Sequence, residues 1–99
     1  MEQSITLNIP SVISNEEKEL ILGVFTSMDG WLAANNGYFW YGNSPDSPYI
    51  YAEFQSGGLV VTGCVDEVLW IGWIIKFCAK LSIALQREVY DAGIGEWTQ

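Results

Sequence analysis

The side chains of this chain that could do chemistry are its carboxylates: twelve Asp and Glu against four Lys and Arg, a formal net charge of -8, and no histidine at all. The missing histidine removes the usual general base, proton shuttle and metal ligand together, so Ser-His-Asp and Cys-His catalysis are excluded. Asp and Glu alone could hold Ca²⁺ or Mg²⁺, but no EF-hand spacing of alternating oxygen ligands occurs. Cys64 and Cys78 cannot make a zinc site without further thiolates or imidazoles. No cofactor is therefore expected, nor is a phosphate loop, because Gly63 is followed by no Lys-Ser/Thr pair and Gly57-Gly58 reads as a turn. A thiol at a helix N-terminus can have a lowered pKa, which singles out Cys64, but without a histidine partner a catalytic role is not expected. The chain does not read as an enzyme.

What remains is binding chemistry. Glu16, Glu17 and Glu19, like Asp66 and Glu67, stand where they would load the first turns of helices, a structural duty that accounts for them. Glu88, Asp91 and Glu96 near the C-terminus have no such account, and with Trp97 beside them they are candidates for docking a basic partner. A second candidate surface is the strand around Tyr49, Tyr51 and Glu53. Alternation turns these three to one side, opposite Ile50, Ala52 and Phe54, and gives rigid amphipathic area with acceptors for Lys and Arg. Trp73, on the helix side that carries the lysines and so flanked by charges, is a candidate anchor at an interface. The competing readings are ordinary: tyrosines stabilise cross-strand pairs, and tryptophans pack under loops or tails.

These residues must be positioned by elements that periodicity predicts. Ile5, Leu7 and Ile9 alternate with Ser4, Thr6 and Asn8, which predicts a strand over 4–9 ended by Pro10. Ser14-Asn15-Glu16-Glu17 fits a capping box, and Leu20, Ile21, Val24, Phe25 and Met28 recur at helical spacing up to Asp29-Gly30. Residues 31–34 carry no firm assignment. Tyr38 to Tyr41, Tyr49 to Phe54 and Leu59 to Thr62 predict three strands, separated by the loop 42–48 and the turn 55–58. The longest apolar run, Cys64 to Leu85, predicts a helix with Trp70, Ile71, Ile74, Phe77, Cys78, Leu81 and Leu85 inward, and Lys76, Lys80, Leu69, Trp73 and Ile83 on the other side. Two lysines interrupt it within a length barely adequate to span a bilayer, so a buried helix is expected and no membrane partner. If both cysteines lie on that helix they are about 21 Å apart and form no disulfide. Arg87 to Asp91 predicts a last strand at a sheet edge, and 92–99 a loose tail.

The order β-α-β-β-β-α-β over one domain, 1–99, implies an α+β fold: an antiparallel-rich sheet with two helices packed on one face, a ferredoxin-like sandwich. Hydrophobic content of 49 % and aromatic content of 14 % are far above those of a disordered chain. The N-terminus MEQSITLNIP has no basic segment followed by an apolar stretch, so no secretory signal is expected and the expected compartment is the cytoplasm. The acidic balance repels phosphate backbones and attracts basic proteins, which argues against nucleic acid as partner.

In size and character, with a long Trp70-to-Leu85 helix followed by Arg87-Glu88-Val89-Tyr90-Asp91-Ala92, the chain resembles the small acidic immunity proteins of bacterial toxin-delivery systems, contact-dependent growth inhibition among them. The resemblance rests on no diagnostic motif. It implies a cytoplasmic binding protein that occludes a basic toxin, a nuclease being one such class, and it transfers no contact residue. Two other classes stay open: a small-molecule-binding or regulatory domain with Trp31 and Tyr38 to Tyr41 lining a pocket, and a homo-oligomer that covers Leu69, Trp73 and Ile83 with a second copy.

Overall fold

In a computed structural model, residues 2–10, 12–34, 37–42 and 48–92 are described. The elements are β1 (Gln3–Leu7), α1 (Asn15–Ser27), β2 (Trp31–Ala34), β3 (Tyr38–Trp40), β4 (Tyr49–Gln55), β5 (Gly58–Cys64) and α2 (Glu67–Leu85). The class is α+β, as the order of patterns implies. One five-stranded sheet runs β1-β5-β4-β3-β2, and each ladder is antiparallel.

The ferredoxin-like arrangement is where expectation and structure part. A split β-α-β unit sets the two strands joined by a helix one strand apart. Here β1 and β2 stand at opposite edges of the sheet, so α1 carries the chain across its whole width. The strands β2 to β5 form a meander with an open edge at either end, and β1 takes the edge of β5 rather than that of β2. The stretch 31–34, unassigned from sequence, becomes the far edge strand. At the other edge the expected strand 87–91 shrinks to a single bridge between Leu7 and Asp91.

The reason for that shrinkage is Asn8. Its backbone N–H donates to the Tyr90 carbonyl at 3.1 Å, its side-chain Nδ2 donates to the Glu88 carbonyl at 3.1 Å, and its Oδ1 accepts from the Tyr90 N–H at 2.8 Å. One side chain thus replaces ladder bonds, and the segment is clipped rather than woven in. Ser82 adds a tie from α2, its Oγ accepting from the Val89 N–H at 2.9 Å.

Alternation fixes the two faces of the sheet as expected. Ile5, Leu7, Ile50, Ala52, Leu59, Val61 and Trp40 point inward, and register aligns them in rows such as Ile5, Val61 and Ala52. Both helices close over this face, with Ile21, Val24, Phe25, Trp70, Trp73, Phe77 and Leu81 in the same core. Gly63 shows how close α2 comes: a Cβ there would stand 2.3 Å from the Trp70 ring.

Helix α1 begins as its sequence predicts, with the full capping box: the Glu17 N–H donates to Ser14 Oγ at 3.1 Å and the glutamate reaches back. Its other end has no basic residue in the last turn. The carbonyls there are satisfied from elsewhere. Trp40 Nε1 donates to the Phe25 carbonyl at 2.9 Å, Trp73 Nε1 to the Asp29 carbonyl at 3.1 Å, and Lys80 Nζ to the Ser27 carbonyl at 3.3 Å. Lys80 therefore places its charge at the negative end of α1, not of its own helix.

Helix α2 starts at Glu67 behind the N-cap Asp66, whose carboxylate accepts from the Val68 and Leu69 N–H groups. Cys64 is the last residue of β5, so the expected helical Cys64 and its helix-terminus thiol are corrected: an N-cap carboxylate two residues later, not the cysteine, opens the helix. The face is corrected too. Trp70, Trp73, Phe77 and Leu81 are the buried residues, while Ile71, expected inward, is half exposed. Apolar residues surround nearly the whole helix, so hydropathy could not set its rotation. The aromatic cluster did: Trp73 stands 4.9 Å from Trp40 and 4.7 Å from Phe77 between ring centroids, with its indole N–H spent on Asp29.

Candidate binding face

The face of the sheet turned away from the helices carries the best-formed constellation. In β4, Tyr49, Tyr51 and Glu53 line up on this side, all partly exposed. Register extends them into rows: Tyr49 pairs with Cys64, Tyr51 stands between Phe39 and Thr62 with Ser4 beyond, and Glu53 pairs with Val60 and then Thr6. The Phe39 and Tyr51 rings meet at 4.8 Å. The Tyr51 ring also comes close to Gly37, whose φ of 145° and lack of a Cβ admit it; a Cβ there would be 2.2 Å from the ring.

Each tyrosine hydroxyl orients a carboxylate. Tyr49 donates to Glu2 Oε2 at 3.1 Å and Tyr51 to Glu53 Oε2 at 2.8 Å. Gln55 Nε2 donates to the other oxygen of Glu53. The carboxylates are thereby held in place with lone pairs still open to a cationic donor. The same bonds stabilise the neutral phenols. The bond to Glu2 is the main cause raising the Tyr49 pKa, followed by burial, the Glu2 charge and Cys64. For Tyr51 burial comes first, then the bond to Glu53 and its charge. The face can present aromatic area and two aimed carboxylates to Lys or Arg.

The residues predicted from sequence are not all gathered there. Tyr49, Tyr51 and Glu53 are brought together. Asp91 is on the other side of the sheet, because its bridge partner Leu7 points to the core, and its charge adds to the burial that raises the Cys78 thiol pKa. Glu88 is exposed at the β1 edge. Glu96 and Trp97 lie outside the described residues. Trp73 is corrected as an exposed anchor: with 4 % of its surface exposed it belongs to the core. Of the proposed pocket aromatics, Trp40 is fully buried and packed on by Trp31 and Phe25, Tyr38 is set edge-on against Phe25, Phe39 lies on the outer face against Tyr51, and Tyr41 is exposed.

Sequence reasoning missed Glu2, Phe39 and Asn8. Glu2 lies just before the first strand and is aimed only through Tyr49, so no local pattern marks it. Phe39 was legible as the odd member of the run Tyr38 to Trp40, which alternation sends to the opposite face. Among the described residues no group of three or more Cys, Asp and Glu is placed to hold a metal ion. Compared with protein-family models, curated proteins and solved structures, the chain finds no match, and the binding face is read from its own geometry.

Proposed function

We propose that the chain is an acidic binding protein that neutralises a basic partner, and that this partner is a bacterial toxin for which it acts as the immunity protein. The observation that carries the reading is the outer sheet face, where Tyr49 and Tyr51 hold Glu2 and Glu53 by hydrogen bonds and leave them open to cations. The net charge of -8 would speed encounter with a basic surface, and the tyrosines with Phe39 would supply the apolar contacts that slow release. Occlusion needs no catalytic group on this chain. Glu88, exposed at the β1 edge, would add a contact in the same reading, and a nuclease is the toxin class whose phosphate-binding surface an acidic face would fit.

The test is affinity capture from the native organism at two salt concentrations, followed by binding kinetics with the captured protein. One basic protein, toxic when expressed alone and bound more slowly as salt rises, is the expected result. The double variant Glu2→Lys, Glu53→Lys should weaken it by at least about a hundredfold, two charge-assisted contacts at about 1.4 kcal/mol or more each. Equal affinity of that variant and of Glu88→Lys, Asp91→Asn, Glu96→Lys would refute the reading.

A further inference from the structure

The outward side of α2 is apolar from end to end. Val68 is 79 % exposed, Ile71 49 %, Ile75 65 % and Ile83 78 %, on a helix whose opposite side is already packed. Scattered surface aliphatics need no explanation, but a continuous row on one helix does. No carboxylate occurs between Glu67 and Glu88, in a chain with twelve, while three of its four cations are Lys76, Lys80 and Arg87.

We propose that this face is the interface of a homodimer in which two α2 helices pack antiparallel about a twofold axis beside Ile75. The first argument is the spacing of sizes. Reflected about a point between Ile75 and Lys76, Val68 falls opposite Ile83 and Gly72 opposite Ala79, so large residues at the ends meet large, and the small pair flanks the central Ile75 of each copy. Gly72 has open space where a Cβ would stand, leaving room for close approach. The second argument is a fit. A shallow groove lined by Val68, Leu69, Gly72 and Lys76, with Tyr41 and Asp29 at its wall, lies on the flank where the antiparallel pairing delivers the protruding Ile83 of the other copy.

The third argument is charge. Antiparallel packing sets the acidic first turn of one helix, Asp66 and Glu67, at the end that carries Arg87 in the other, and opposes the two helix dipoles favourably. Parallel packing would juxtapose like ends. Covering side chains exposed to this degree on both copies removes on the order of 1,000 Å² from water, the lower limit of a specific interface.

Sedimentation velocity of the purified chain over a wide dilution series tests this. The expected result is a concentration-dependent monomer-dimer equilibrium that Ile75→Glu and Ile83→Glu each weaken at least about tenfold. Both positions are exposed, so unchanged far-ultraviolet circular dichroism should accompany the loss. Arg87→Glu should weaken the dimer and the exchange Glu67→Arg, Arg87→Glu should restore it. Three results would overturn the proposal: a monomer at every concentration, a dimer indifferent to Ile75→Glu, or a wild-type chain that floats with phosphatidylcholine vesicles through Ile75 while staying monomeric in solution. The last would assign the face to lipid, since α2 is also long and apolar enough to cross a membrane.

Discussion

At the scale of single residues, the chain spends its polar atoms on positioning. The two outer-face tyrosines are the clearest case, because one phenol proton both fixes a carboxylate and is held by it. The pKa values of Tyr49 and Tyr51 are raised, as is that of Tyr41 through burial and the charge of Asp29. An acid whose folded pKa lies above its unfolded value supports the fold fully below the unfolded pKa, about 10 for tyrosine, and this support is lost as pH rises through the folded value. Ultraviolet titration of the folded chain should therefore show part of the phenolate absorbance appearing above the range of free tyrosine, and unfolding midpoints should fall as pH rises beyond about 10. Glu53→Gln should bring the Tyr51 portion of that titration downward. Tyr49 and Tyr51 were readable from sequence because period-two alternation around Ile50, Ala52 and Phe54 is unambiguous. Trp73 was misread because the acceptor that lets its indole N–H be buried, the Asp29 carbonyl, lies forty-four residues away and leaves no local trace in the sequence.

At the scale of elements, β1 and the segment 88–91 are joined through Asn8. In Asn8→Ala the two side-chain bonds are lost while the backbone bond to Tyr90 has no support. Stability should drop by about 1–2 kcal/mol, and hydrogen exchange at the Tyr90 amide should accelerate more than at the centre of β5. The capping box of α1 was legible because all its parts lie within four residues. Strand 31–34 was not, being four residues long and defined by its partner β3 rather than by its own pattern. The rotation of α2 escaped for the opposite reason: almost every position is apolar, and a choice among equals is made by tertiary packing.

At the scale of the whole molecule, the class followed from the count and order of periodic segments, and the strand order did not. The meander leaves two edges open, and which of them β1 joins is decided by how α1 crosses the sheet and not by any local pattern. Charge is divided in a similar global way, with three cations on or just after α2 and carboxylates over the rest. Such imbalance pushes the compact state apart at low ionic strength. Raising salt from a few millimolar to physiological levels should increase the thermal midpoint, checked by calorimetry, with the opposite sign to its effect on association with a basic partner.

The indole and ammonium donors at the end of α1 bear on how the chain acquires its structure. The carbonyls of Ser27 and Asp29 accept from Lys80 and Trp73, made some fifty residues later, and that of Phe25 from Trp40 as well as from the nearby Met28 N–H. During synthesis the first helix can therefore coil but cannot be finished, and no N-terminal fragment lacking α2 carries a complete core. The second helix thus supplies much of the stopper for the first, and the two are expected to become stable together.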